Sequence, residues 1–246
     1  METGHIMNKW LYIAESYEDA IITASVVYTI WKEEKLKLNI VRKTLFSDLF
    51  IENEGVNVLG FPSKKSQIIL IKCNENYSFQ EKCKQVVSFI GKDDLKNIKL
   101  YCPPYKGYFD IECLNTKQMK VFLHIGDNHI LFRIDPVLLQ NYCERLKNEL
   151  GNIEIVQCNS YSYPHILGTK FLVGGSANYS KLYEGISKCD MLVTTESFAG
   201  MMASELSKPA ILLTSQEKFE IGKSCEVFTM NSPIDKLVEI SMYLLK

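Results

Sequence analysis

Apolar positions along the chain come in short unbroken runs separated by longer stretches with helical spacing. Residues 10–14 are such a run. From Asp19 to about Glu34, Ile22, Val26 and Ile30 recur at i, i+4 and i+8 with Val27 and Trp31 beside them, which predicts a helix with one apolar face. Residues 38–41 read as the next strand, and Thr44 is placed to cap a short helix through Phe50. Strands at 56–59 and 68–73, a helix at 79–90 and a strand at 97–101 follow, before the turn-rich segment 102–107. The second half repeats the scheme. It predicts strands at 120–125, 154–158, 170–173, 191–195, 210–213 and 227–230, and helices at 136–150, 179–188 and 197–207. Pro233, at a first helical position, opens a last helix to Lys246.

Short buried strands alternating with helices are the pattern of parallel sheets covered on both faces. The fold class is therefore α/β, with two doubly wound, Rossmann-like lobes facing a cleft. The expected division is 7–117, 118–232 and a C-terminal helix, 233–246, packing back on the first lobe. In such folds ligands sit at the carboxyl ends of the strands, so the strand-to-helix loops are where chemistry is to be sought.

Composition narrows the picture without redirecting it. With 46% hydrophobic and 23% charged residues in 246, the chain is neither disordered nor fibrous. A net charge of −1 advertises neither a nucleic acid nor an anionic membrane. No apolar run reaches the roughly 18–20 residues that span a bilayer. Residues 1–6 lack the order of a signal peptide and read as a tag remnant, making Met7 the expected start and the cytoplasm the expected compartment. The eight cysteines include no C-x-x-C pair, and the four histidines no H-x-x-x-H, so buried free thiols are expected rather than disulfides or a metal site.

Four loops remain. Asp19, at the start of the first predicted helix, is either a helix cap or a general base at the cleft mouth. In the segment 124–133, Gly126 permits close approach of a ligand, and Arg133, one of three arginines, could grip a diphosphate or pair with Asp135. Gly174 and Gly175 follow a strand, where a plain turn is the simpler reading. The most informative loop is 189–213, where a strand runs into a helix whose first turn carries Ser197, Ala199 and Gly200. Small residues there bare backbone N–H groups for an anion, with Thr195 or Glu196 as candidate caps.

This last stretch resembles the nucleotide-sugar-binding segment of glycosyltransferase family 9, the heptosyltransferase-like enzymes. From Asp190 to Leu213 it aligns without a gap, with Glu196-Ser197 on the family's Asp-Ser/Thr and Lys208-Pro209 on its Lys-Pro. Asp19 falls on the aspartate assigned as catalytic base, and the segment from His124 to Arg133 is similar to the family's phosphate-contacting segment. Glu18, Glu196, Phe198 and Met201 depart from it, replacing glycine, aspartate, glycine and histidine, and the chain is shorter than is common in the family.

The resemblance implies a GT-B fold, with an acceptor-side first lobe and a donor-binding second lobe. It also implies glycosyl transfer with inversion, independent of metal and without a cofactor other than the nucleotide-sugar co-substrate. Asp19 would deprotonate the acceptor hydroxyl. Gly126, Arg133, Gly174, Gly175, Thr195, Glu196, Ser197, Ala199 and Gly200 would hold the donor. The expected acceptor is a saccharide or lipid-linked saccharide.

Three other readings stay open: a phage-type enzyme glycosylating modified DNA bases, a sugar-nucleotide epimerase or hydrolase, and a non-catalytic sugar-nucleotide binder. The lysine-rich stretches 32–43, 64–65 and 82–84 bear on the first. Interrupted as they are, they read more simply as solvated faces.

Overall fold

The structure, a computed structural model, describes residues 9–13, 16–42, 48–51, 53–74, 77–92, 95, 97–102, 117–126, 134–159, 163–172, 179–214, 225–229 and 232–246. The chain divides into two compact units, Met1–Lys106 and Gly107–Lys246.

In the first unit, β1 (Lys9–Tyr12), β2 (Leu38–Val41), β3 (Val56–Gly60) and β4 (Gln67–Leu70) form one sheet in the order β3-β2-β1-β4. Every pair is parallel. Helix α1 (Tyr17–Glu34) starts at Ser16, whose Oγ accepts from Asp19 N–H at 3.2 Å. The cap expected of Asp19 is thus Ser16, and Asp19 lies inside the first turn. The apolar repeat holds, since Ile22, Val26, Val27 and Ile30 are all buried.

Helix α2 (Asp48–Ile51) is a single turn, and its expected cap, Thr44, lies outside the described residues. Helix α3 (Phe79–Ile90) opens on a capping box: Ser78 Oγ accepts from Glu81 N–H, and Ser78 N–H donates to the Glu81 carboxylate.

The strand expected at 97–101 is absent. Asn97 has φ 57, Tyr101 N–H donates to Ser25 Oγ on α1 at 2.9 Å, and Ile98 C=O accepts from Gln80 Nε2 on α3. Helix side chains have taken the main-chain groups that a strand would give to a neighbouring strand.

The second unit carries a six-stranded sheet of β5 (Met119–Ile125), β6 (Ile153–Asn159), β7 (Lys170–Leu172), β8 (Met191–Thr194), β9 (Ala210–Thr214) and β10 (Cys225–Thr229). It is parallel throughout, in the order β7-β6-β5-β8-β9-β10. This is the doubly wound nucleotide-binding order, winding outward in both directions from the first strand. The smaller sheet repeats its first four places.

Helices α4 (Pro136–Leu150), α5 (Tyr179–Lys188), α6 (Ser197–Glu205) and α7 (Ile234–Leu244) complete the unit. Helix α6 ends in a Schellman turn, with Ser207 N–H donating to Ser204 C=O and Lys208 N–H to Ala203 C=O. Ser207 itself sits at φ 55. Pro233 is the residue before α7 rather than its first.

Leu237 and Val238 of α7 enter the second unit's core with Leu139, Tyr142 and Leu146 of α4. Tyr142 Oη and Ser241 Oγ lie 2.8 Å apart, and Arg145 pairs with Asp235. The apolar stripe of α7 packs on α4.

Candidate functional site

A doubly wound sheet opens a crevice where its strand order reverses, because the loops leaving the two central strands turn to opposite faces. In the first unit that point lies between β1 and β4, and in the second between β5 and β8. Both fall on residues singled out from the sequence.

At the first, Asp19 is 5% exposed. Its carboxylate accepts from Cys73 N–H, just beyond β4, at 3.3 and 3.4 Å. Helix α1 projects the side chain from behind β1, and the end of β4 orients it.

Around this carboxylate lies a polar group that the sequence did not disclose. Lys82 of α3 is 2% exposed and its Nζ sits 2.7 Å from Glu18 Oε1. The reading of 82–84 as a solvated face fails for Lys82, which shares the buried stripe of Phe79, Cys83, Val86, Val87 and Ile90. Burial, then the Asp19 charge and its hydrogen bond, push the Cys73 thiol far above the usual thiol range, so it remains protonated.

At the second reversal, β5 and β8 are stitched together beyond their last ladder bonds. Thr195 N–H donates to His124 C=O at 3.2 Å, and Thr195 Oγ1 accepts from Gly126 N–H at 2.9 Å. Thr194 Oγ1 accepts from Glu196 N–H at 3.1 Å and lies 3.0 Å from Nδ1 of the fully buried His124.

Glu196 holds the N-cap position of α6, yet its side chain does not cap the helix. It turns instead over Gly126: a Cβ built there would meet Glu196 Cγ and Oε1 at 2.0 Å. Glycine leaves the room that this contact uses, and the contact brings together two residues 70 apart in the chain. The carboxylate is thereby held, 7% exposed, over the glycine at the mouth of the sheet.

Phe198 does not spread over the loop. It is 6% exposed and meets His124 edge to face, with centroids 5.9 Å apart. Met201 is buried too, so both large departures from the resembled motif point inward. The first turn of α6 otherwise carries Ser197, Ala199 and Gly200, and its first intrahelical bond runs from Gly200 N–H to Glu196 C=O.

Of the expected site residues, the structure brings together Gly126, Thr195 and Glu196, with Ser197, Ala199 and Gly200 on the adjoining helix. Asp19 stands at the other sheet's reversal. Arg133, Gly174 and Gly175 lie outside the described residues. Missing from the sequence reading were Lys82, Cys73 and the buried hydroxyl of Thr194. Among the described residues no cluster of three or more His, Cys, Asp or Glu is placed to hold a metal ion. None of the described helices is long and apolar enough to cross a membrane. Among the described residues, the cysteines at 73, 83, 143, 158 and 189 are buried and outside any disulfide, whereas Cys102 is exposed.

Two Rossmann-like α/β units of this topology define a GT-B-type fold, and comparison with solved structures agrees. The chain is similar to the ADP-heptose lipopolysaccharide heptosyltransferase II of E. coli, with a TM-score of 0.65, 10% identity and 96% and 98% of the two chains covered. It is equally similar to a glycosyl transferase family 9 protein from Veillonella parvula, with a TM-score of 0.67, 10% identity and 97% of each chain covered. A putative UDP-N-acetylglucosamine 2-epimerase from Listeria monocytogenes follows, with a TM-score of 0.60, 11% identity and 97% and 88% covered. No family model matches the chain, and no curated protein matches it in sequence. The likeness is one of fold, and at that level the resemblance read from the sequence holds.

Proposed function

We propose that this protein transfers a glycosyl group from a nucleotide-diphosphate sugar to an acceptor hydroxyl, with inversion at the anomeric carbon and no resident metal ion. The observation that carries the reading is Asp19, a carboxylate buried at a strand-order reversal and oriented by a main-chain N–H. It takes the proton of the acceptor hydroxyl as that oxygen attacks the anomeric carbon and the bond to the diphosphate breaks. A general base so placed contributes about 10²–10⁴-fold.

The departing diphosphate gains negative charge. The N-terminal turn of α6, with its small residues and helix dipole, supports that charge, together with Arg133. Glu196 accepts from hydroxyls of the donor's sugar or ribose, while Gly126 and Thr195 shape the floor beneath it. Gly174 and Gly175 complete the donor loop. The acceptor is a saccharide or lipid-linked saccharide. A DNA acceptor loses one of its supports, since Lys82 is spent on Glu18 rather than presented to phosphates. The compartment that fits is the cytoplasm, where nucleotide sugars are held.

A thermal-shift screen of ADP-, GDP-, UDP- and CMP-sugars tests the donor half. A true donor at a hundred times its Kd stabilises by about 2.7 kcal/mol. With that donor in hand, Asp19→Asn should keep the shift and lose turnover by about 10²–10⁴-fold. A blank across all four classes removes the transferase reading, and near wild-type turnover in Asp19→Asn removes Asp19 from it. Epimerisation or hydrolysis of the donor without any acceptor would favour the epimerase class instead, whose fold this chain also shares.

A further inference from the structure

We infer that the Glu18–Lys82 ion pair, buried at its ammonium end, is a positioning device that sets the protonation of Asp19, an inference that rests on the reading of Asp19 as the base. Glu18 and Asp19 are consecutive residues in the first turn of α1. Two neighbouring carboxylates oppose each other's ionisation, and a base that picks up a proton too readily is spent at neutral pH. Lys82 answers that problem from a different element. Its ammonium, 2% exposed, donates to Glu18 Oε1 at 2.7 Å.

The same α3 residue borders Asp19 through Cys73. The Cys73 thiol lies 3.9 Å from the Lys82 carbonyl, while Cys73 N–H donates to Asp19. Opposing electrostatic effects of Asp19 and Lys82 both reach that thiol.

Among the described residues, the titratable groups near Asp19 include Glu18 from its own helix, Cys73 from the end of β4, and Lys82 and Cys83 from α3. Both thiols are buried. Glu18 and Lys82 carry charges of opposite sign and are locked together. A buried ammonium and carboxylate are costly unless paired. Paired, they present Asp19 with a nearly neutral neighbour on one side and fix the first turn of α1 against α3.

A role confined to packing predicts the same loss of stability from removing either partner and no consistent effect on Asp19. The electrostatic role predicts opposite effects. Lys82→Met takes a positive charge away from beside Glu18 and Asp19 and should raise the Asp19 titration midpoint by about one pH unit. Glu18→Gln leaves the ammonium alone and should lower it by a similar amount. The double variant Glu18→Gln/Lys82→Met should return it toward the wild-type value.

Carboxyl-carbon NMR of the whole chain follows the midpoint, with the Asp19 signal identified by its loss in Asp19→Asn. Should Lys82→Met not fold, Glu18→Gln alone decides. Midpoints that stay put, or that move in the same direction in both single variants, overturn the inference. That failure would leave the assignment of Asp19 as base standing. Full turnover in Asp19→Asn would sink the assignment and leave the measured coupling intact.

Discussion

The packing of Glu196 over Gly126 makes a prediction that depends on geometry alone. In Gly126→Ala the added methyl would sit 2.0 Å from Glu196 Cγ and Oε1 and 2.3 Å from Cδ. Ordinary van der Waals contact begins near 3.4 Å, so the obstacle must withdraw by more than an ångström. The nearest atoms belong to a side chain with rotatable bonds rather than to main chain. The expected outcome is therefore expulsion of Glu196 from its place, not collapse of β5. Overpacking of this kind costs roughly 1–3 kcal/mol. At about 2–4 °C per kcal/mol for a chain of this size, thermal unfolding resolves it readily.

The decisive comparison is a double-mutant cycle. Glu196→Ala removes the atoms that the methyl would strike, so Gly126→Ala should cost little in that background. The coupling should fall in the range of roughly 0.5–3 kcal/mol seen for residues in contact. Additive effects of the two substitutions would refute the contact, and with it the claim that Gly126 is glycine for the sake of Glu196. Binding of the donor found by thermal shift should fail in both single variants if the carboxylate holds the sugar from this place.

Three further expectations follow from positions off the reacting atoms. Ser207 holds a left-handed conformation at the end of α6, so Ser207→Gly should stabilise by roughly 0.5–1 kcal/mol, and an unchanged or lower Tm would contradict the assigned strain. Gly185→Ala would place a methyl 2.4 Å from the ring of fully buried Phe122, costing about 1–3 kcal/mol or more, which a shift of the denaturation midpoint measures. Glu81 is held below its ordinary 4.5, chiefly by the Ser78 hydroxyl. The capping box therefore contributes fully above pH 4.5 and is lost as pH falls through the lowered value. The stability gap between wild type and Ser78→Ala should accordingly be widest at neutral pH and narrow in acid to what the Glu81 N–H to Ser78 Oγ cap contributes. A gap independent of pH would show that Glu81 takes no part.

Much of the architecture was legible because strand and helix leave different periodicities. Helices α3, α4 and α5 fall where spacing placed them, since cap signals such as Ser78, Pro136 and Gly151 flank clear apolar stripes. The segment 97–101 misled because its apolar residues answer to helices: Ile98 and Tyr101 are buried beside Gln80 and Ser25, not within a sheet.

For the site, local cues pointed to Gly126, Thr195 and Glu196 one at a time. Their mutual contact was hidden because it depends on β8 lying beside β5, a pairing that composition does not encode. Lys82 was passed over because a lysine among lysines reads as surface. Its place three residues after Phe79 and four before Val86, on the buried side of α3, was the signal available. What that position could not reveal was the partner on α1.

The hydrogen bond from Gly126 to Thr195 spans 69 residues of sequence and closes the seam where the sheet's two windings meet. It cannot form until β8 has slotted in next to β5, after the chain has gone out through β6 and β7 and come back. The candidate donor floor is consequently not a local motif but a product of long-range assembly. A molecule resting across that seam would bridge both windings at once. Amide exchange at Gly126 and Thr195 should then slow on ligation more than exchange at the outer strands β7 and β10, making the seam a reporter of occupancy before any chemistry is assayed.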